Sequence, residues 1–514
     1  MRIEFYDTTL RDGAQAAGIS YSLSDKRQIF ALLSLIGIDL VEGGDPASNP
    51  KDAEFFAECK NEKLVAFGST RRKELSANGD DGLKKLLDTG ARTLCIFGKA
   101  SPLQAKEVLG VSPEDNIAMI GDSVRFLSNH GRRVIFDAEH FYDGAEEDFP
   151  YSMRCLETAV SAGADTVVLC DTNGGVSPER AYELTKAVAE HFRGRAKVGV
   201  HFHNDTGTAV ASSLAGVRAG ATHVQGTFLG FGERCGNANL STVIADLMLH
   251  GDSERTVELP ALTRTAHAVA EISNFNLDPA MPYVGAAAFA HKAGMHSDAV
   301  IKDPRTFEHV DPAAVGNRDS ILLSEMAGRS AVAKKLERLF PSLDKSNPKT
   351  KEILDMVKLM ELKGYQFEGA DGSFVLLAER MMNAFEPSFE LEHYCIKAVK
   401  PDGVNTAEVA IRVGGEVTSV TETGNGPVNA LDKALRSALV KHFPSISEVA
   451  LIDYKVRVVD SSAATGAMVR VLITSSDKRD TWTTVGVSTD IIEASWDALT
   501  DSFEYKLTGR GRIV

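Results

Sequence analysis

The sequence predicts an α/β protein built on a (β/α)8 TIM barrel, followed by a helical connector and a C-terminal α+β module. Three observations carry that expectation. Short apolar segments recur through the first half at intervals of about 25 to 40 residues, each followed by an amphipathic helical stretch, which is the spacing of βα units. Eight such segments precede residue 275, the number that closes a barrel of the usual length. Nearly all of them end in charged, hydroxyl or amide side chains, as the catalytic mouth of a barrel requires. A doubly wound open sheet is the rival architecture. It would stop at about five to seven strands, and no Gly-x-Gly-x-x-Gly turn follows the first segment.

The predicted strands are Ile3–Leu10, Asp39–Asp45, Lys63–Ser69, Thr93–Gly98, Arg133–Glu139, Thr166–Asp171, Lys197–His203 and His223–Thr227. Polar groups at or just past their ends include Asp12, Glu42, Lys99, Asp137, Glu139, Thr172, His201 and His203. Ser24, Ser112 and Ser177 read as helix N-caps in the loops between units. Capping does not account for a pair of histidines, nor for Glu139, which reads as buried. From about residue 276 the pattern loosens: Pro279, Pro282, Pro304 and Pro312 punctuate a connector with helical runs near 324–340, 349–364 and 373–384. Beyond it, alternating segments (Tyr394–Val399, Thr406–Val413, Val417–Thr423, Ala450–Val459, Ala467–Ser475, Thr481–Val487) and helices starting near Pro427 and Asp490 describe repeated three-strand-plus-helix units. The expected division is a catalytic barrel over 1–275, a linker and helical subdomain over 276–390, and a regulatory, effector-binding and dimerising domain over 391–514.

Composition narrows the function. A chain of 514 residues, 43% hydrophobic, is a multi-domain globular protein with ample core. Its formal charge of −15 argues against nucleic acid or an anionic membrane as partner, though a local cationic cleft can still hold an anionic substrate. Six cysteines without a C-x-x-C pair suit a reducing compartment and disfavour disulfides or a thiolate zinc site. No apolar run is long enough to span a bilayer, and the charged opening Met-Arg-Ile-Glu does not read as a secretory signal; a cytoplasmic location is expected.

The chemistry centres on Val198-Gly-Val-His-Phe-His203. On a strand, residues two apart share a face, so His201 and His203 converge while Phe202 turns away. Two imidazoles need an acidic partner to make a divalent-metal site, and Asp12 at the first strand end offers one. Asn237, at the end of the glycine-rich loop Gly230–Asn237, adds an amide oxygen; a plain turn is the other reading of that loop. Nitrogen and oxygen ligands together admit Mg, Mn, Zn or Co. Arg11, beside Asp12, is placed to hold a carboxylate or offset a developing oxyanion, or to pair with Glu42 or Glu139; these readings are compatible.

These residues resemble a known family. Asp7-Thr-Thr-Leu-Arg-Asp-Gly13, His201-Phe-His-Asn-Asp205 and Gly232-Glu-Arg-Cys-Gly-Asn237 are similar to the motifs of the isopropylmalate, homocitrate and citramalate synthases. So are His291-Lys-Ala-Gly-Met-His296 in the connector and Gly424-Asn-Gly-Pro-Val-Asn429 in the last module. Arg11-Asp-Gly-Ala-Gln15, Glu42-Gly-Gly-Asp-Pro46 and Phe136-Asp-Ala-Glu-His140 bring the match closest to the long-type citramalate synthases. The resemblance implies a homodimeric acyltransferase that condenses acetyl-CoA with pyruvate and hydrolyses the thioester, with 2-oxoisovalerate as the alternative acceptor, or a related C–C lyase. It implies Arg11, Glu139 and His296 as catalytic residues, and Asp12, His201, His203 and Asn237 as metal ligands. Gln15, Thr172 and Asp298 become substrate contacts, and Gly424, Asn425 and Gly426 the site of a branched-chain amino-acid effector. The connector would reach a partner subunit's barrel. Three departures bear on the keto-acid pocket: Gly98-Lys-Ala-Ser-Pro102 lacks an aromatic residue, Asp45 stands where a bulky apolar side chain is usual, and Phe307 replaces a tyrosine.

Overall fold

The computed structural model describes residues 2–509 apart from 252, 255, 324–325, 400, 402, 461–465 and 478. The first two positions of the predicted 324–340 run and residues 510–514 therefore lie outside the described residues. The chain forms two compact units, the first running to Phe289 and including Val310–Arg318, the second made of Ala290–His309 and the residues from Asp319 onward.

In the first unit eight parallel strands close a barrel in sequence order: β1 (Glu4–Asp7), β2 (Leu40–Gly44), β3 (Leu64–Ser69), β4 (Thr93–Lys99), β5 (Arg133–Glu139), β6 (Thr166–Asp171), β7 (Lys197–Phe202) and β8 (His223–Gly226). Closure is made by β1 against β8, Glu4 opposite His223 and Asp7 opposite Gly226. The strands read as near-continuous apolar runs because both faces are buried. Outward residues such as Val198, Val200 and Phe202 join a large core under the helices, while Tyr6, Val65, Phe67, Cys95, Ile135, Val168 and Cys170 stack inside the barrel. The interior is a packed core, not a pore.

Local chemistry sets the boundaries. The first strand stops at Asp7 rather than Leu10 because the Asp7 carboxylate accepts from Thr9 N (2.9 Å) and Thr9 Oγ1 (3.0 Å), turning the chain. That turn delivers Arg11 and Asp12 to the mouth. Ser112 and Ser177 cap helices as expected. The first helix, Leu23–Ile36, is capped by Ser22 and not Ser24: Ser22 and Asp25 form a reciprocal capping box. Val310–Arg318 belongs with the barrel unit because Val315 is fully buried in its core, and Asn317 donates to the Tyr283 and Gly285 carbonyls at 2.8 and 3.0 Å.

The second unit holds the helices Gly294–Lys302, Arg329–Leu336, Pro348–Leu362 and Asp371–Met381. It also holds two antiparallel three-stranded sheets, Glu390–Ala398 with Asn405–Val413 and Glu416–Gly424, and Ala450–Val458 with Val469–Ser476 and Thr481–Ser488. Each sheet is followed by a helix, Pro427–Val440 and Ile491–Leu507. Helix Pro427–Val440 buries Ala430, Leu431, Ala434, Leu435, Ala438 and Leu439, one helical stripe, against Ala407, Val409 and Ile411 of the adjoining sheet. This is the repeated unit the alternation predicts.

Candidate active site

The inward faces of β3 to β7 and the loops after β1 and β8 enclose a cavity of about 250 Å³ at the C-terminal mouth of the barrel. Arg11, Asp12, Gln15, Glu139, Thr172, His201 and His203 all line it. Asp12, His201 and His203 each offer a ligand atom within 4.8 Å of the others, and the two imidazole rings lie 5.2 Å apart. Asn237 sits directly against them: its Nδ2 donates to Asp12 Oδ2 at 2.9 Å and lies 3.2 Å from His201 Nε2.

The glycine-rich loop is more than a turn. Gly232 has φ 157°, and a Cβ there would fall 1.9 Å from Asn237 Oδ1; a Cβ on Gly236, at φ 86°, would fall 2.0 Å from the Gly230 carbonyl. Only glycine lets this loop fold over and press Asn237 onto the histidine strand, where it bridges to His203.

The residues fit a cation. His203 Nδ1 and Asn237 Oδ1 are buried without a hydrogen-bond partner, a costly state that a ligand would relieve. The protonation states also suit one. Burial pushes the Asp12 carboxyl up, but Arg11, His201, His203 and the Asn237 amide together hold it below its ordinary range, as an anion. Burial keeps His201 neutral, against the pull of Asp12. Burial and the neighbouring His201 bring His203 down to about 4. One carboxylate and two neutral imidazoles are the donor set a divalent ion takes.

Arg11 is rigidly held. Its Nε is hydrogen-bonded to Glu42 Oε1, Nη1 lies 3.6 Å from Asp12 Oδ1, and the guanidinium carbon stands 3.7 Å over the centre of the Phe67 ring. Tyr6 donates to the other Glu42 oxygen at 2.6 Å. Of the two partners expected for Arg11, the structure selects Glu42. Glu139 instead pairs with Lys99 Nζ at 2.6 Å, and its side chain is 24% exposed, not buried as the sequence suggests: it stands at the rim, where strand β5 ends. The Thr172 hydroxyl accepts from His140 N at 2.9 Å, which leaves its own proton for another acceptor. Gln15 is exposed at the cavity edge.

The remaining sequence candidates lie in the second unit. His296 is exposed on helix Gly294–Lys302 and stacks on Phe307, ring centres 4.2 Å apart at 29°. Asp298 is held below its ordinary range by Lys302 and by Ser330, whose hydroxyl donates at 2.6 Å. Gly424, Asn425 and Gly426 precede helix Pro427–Val440, with Asn425 N donating to Asn429 Oδ1 at 3.1 Å. Asp45 serves its own turn, accepting from Ala47 N and Ser48 Oγ at 2.9 and 2.6 Å.

Several residues in and behind the cavity escape sequence reasoning. Phe67 and Phe97 stack at 5.4 Å and 17° to form an apolar wall. Arg234, with φ 56°, clamps Asp205 through two bonds and donates to the Thr172 carbonyl. Gln225, fully buried on β8, joins His201 to Asp137. Nothing local marks Phe67, Phe97 or Gln225.

Three family models match successive parts of the chain: HMGL-like over residues 2–269, homocitrate synthase post-HMGL domain-like over 283–364, and LeuA allosteric (dimerisation) domain over 368–507. The chain is 46% identical to (R)-citramalate synthase of Aquifex aeolicus (strain VF5), with 98% of each covered. It is 43% identical to (R)-citramalate synthase of Geobacter sulfurreducens, covering 98% of this chain and 97% of that protein. Against 2-isopropylmalate synthase of Pyrococcus furiosus the identity falls to 32%, with 97% of each covered.

Proposed function

We propose that this chain, which belongs to the (R)-citramalate synthase family, condenses acetyl-CoA with pyruvate at the barrel mouth and hydrolyses the thioester to release citramalate and CoA. It is an enzyme of the acyltransferase class. The observation that carries the site assignment is the convergence of Asp12, His201 and His203 on one small cavity beside Arg11. A divalent cation held by these three, with Asn237 as a further ligand once its amide turns to present Oδ1 in place of Nδ2, would supply Lewis acidity to the 2-oxo acid. Arg11, fixed by Glu42 and Phe67, keeps its charge facing the developing alkoxide without reorganising. The Thr172 hydroxyl and Gln15 are assigned to the substrate carboxylate.

Removing a proton from the acetyl methyl needs a base held close to a weak carbon acid. Glu139, steadied by Lys99, and His296, stacked on Phe307, are the two candidates, with Asp298 anchoring the His296 helix. The family pattern has the connector serving a partner subunit's barrel, so we assign His296 to the neighbouring site of a homodimer. Exposed apolar residues on the outer strands, among them Leu391, Val417, Leu451, Ile452 and Val456, support a dimer through the last module. Gly424, Asn425 and Gly426, ahead of a helix N-terminus, are assigned to the carboxylate of a branched-chain amino-acid effector. Isoleucine is expected for a citramalate-forming enzyme.

The Phe67–Phe97 wall favours the methyl of pyruvate over the isopropyl group of 2-oxoisovalerate. The test is CoA-thiol release from acetyl-CoA with pyruvate, 2-oxoisovalerate, 2-oxobutyrate and 2-oxoglutarate, with and without chelator. Pyruvate is expected to lead by at least tenfold in kcat/KM, with turnover abolished by chelator. A preference for 2-oxoisovalerate, or turnover indifferent to chelator, overturns the reading.

A further inference from the structure

We propose that Gln225 and Asp137 are positioning residues that dictate which nitrogen of His201 faces Asp12, and so set the affinity of the site for a divalent cation. The inference rests on the cation reading above. Gln225 is buried in the barrel interior on β8 with no accessible surface, a position that strands normally fill with an apolar side chain. Both ends of its amide are engaged. Oε1 lies 2.9 Å from His201 Nδ1, and Nε2 donates to Asp137 Oδ1 at 2.9 Å.

The direction of this chain follows from its last member. Asp137 Oδ1 is the acceptor of the amide N–H, which turns the amide oxygen toward His201; burial and Glu42 push the Asp137 carboxyl up to about 7, and its deprotonated form, which can only accept, enforces this direction. An oxygen there requires the proton on Nδ1. His201 Nε2 is then an acceptor, facing the Asn237 Nδ2 donor at 3.2 Å and 3.4 Å from Asp12 Oδ2, and its lone pair passes to a cation once that amide turns aside. With the Gln225 amide reversed, its N–H would meet Nδ1, the proton would move to Nε2, and the imidazole would present a donor to the cation position. Two further features lie in the same interior. Gly199 on β7 makes room for the His223 ring on β8, which a Cβ there would meet at 2.7 Å. The Glu42 carboxylate, bonded to Tyr6 and Arg11, lies in the same interior. Partners of this kind behind a ligating histidine alter metal affinity by about 10- to 100-fold.

The experiment is calorimetric titration of the full-length chain with manganese(II) and cobalt(II), wild type against Gln225→Leu and Asp137→Asn. Asp137→Asn keeps the shape but supplies a donor as well as an acceptor, so the amide loses its enforced direction. Both variants are expected to bind about 10- to 100-fold more weakly, with turnover recovering within threefold at saturating metal. A merely structural defect would not be rescued by metal. Should Gln225→Leu fail to fold, Asp137→Asn alone decides. Affinities within twofold of wild type in a folded variant overturn the inference and leave the cation reading intact. Wild type that binds neither metal overturns both.

Discussion

The two ends of the barrel are built from the same eight strands, and both carry buried charge, but they spend it differently. At the N-terminal end Glu4 receives Arg133 Nη2 at 2.7 Å, His223 Nδ1 at 2.8 Å and Lys197 Nζ at 3.2 Å, while Arg133 also binds Asp165 at 2.8 Å. Almost every strong donor and acceptor there finds a partner, His223 Nε2 excepted. At the C-terminal end Asp12, His201, His203 and Asn237 crowd together with His203 Nδ1 and Asn237 Oδ1 left over. A closed electrostatic circuit stabilises a fold. An open one waits for a ligand.

The comparison breaks most sharply on function. His201→Ala or His203→Ala is expected to lower kcat at least a thousandfold, about 4 kcal/mol of barrel-mouth chemistry, while the melting temperature of the metal-free protein changes little. Circular dichroism melts beside the thiol-release assay separate the two effects. Arg11→Lys is expected to cost about a hundredfold in kcat, because a point charge cannot pair with Glu42, stack on Phe67 and face substrate together. Retention of activity in that variant would mean the guanidinium is only a strut.

At the other end the effect should be on stability. Glu4→Gln leaves Arg133, His223 and Lys197 without their common anion and is expected to cost about 2–4 kcal/mol in urea unfolding at pH 7, with kcat at 25 °C within threefold of wild type. The pH dependence has a definite sign. Burial pushes the Glu4 carboxyl up, but His223 and Arg133 more than offset it and hold the group below its ordinary value of 4.5. The stabilisation is therefore present above pH 4.5 and is lost as acid lowers the pH toward the folded-state value. The gap between wild type and Glu4→Gln should narrow from pH 5 downward; a gap that widens in acid contradicts the ion-network account. The smallest effect belongs to the pocket wall. Phe97→Ala should shift the kcat/KM ratio toward 2-oxoisovalerate by about 1–3 kcal/mol, or about 5- to 150-fold, without changing metal affinity.

Much of this was legible from the chain alone because it depends on period and spacing. Strand β7 reads correctly since its outward Val198, Val200 and Phe202 alternate with its inward Gly199, His201 and His203. The first helix is capped by Ser22 and not by Ser24, and Ser22-Leu-Ser-Asp25 carries the three-residue spacing of a capping box. Glu139 reads as buried but stands at the rim, because a glutamate ending an apolar strand gives no sign of where the barrel wall stops. Gln225 carries no local signal, being one polar residue in a buried strand; Asp137 reads as a polar strand-end residue, but its link to His201 exists only once β5, β7 and β8 share an interior. The stacked Phe67 and Phe97 are indistinguishable in sequence from core phenylalanines, since β3 and β4 become neighbours only on folding.

The most direct measurement is anomalous diffraction from crystals grown with cobalt(II). One peak per chain is expected, about 2.0–2.2 Å from an Asp12 oxygen and from one ring nitrogen each of His201 and His203, and absent in His201→Ala. A peak held by other residues, or none where calorimetry shows the metal bound, would contradict the account.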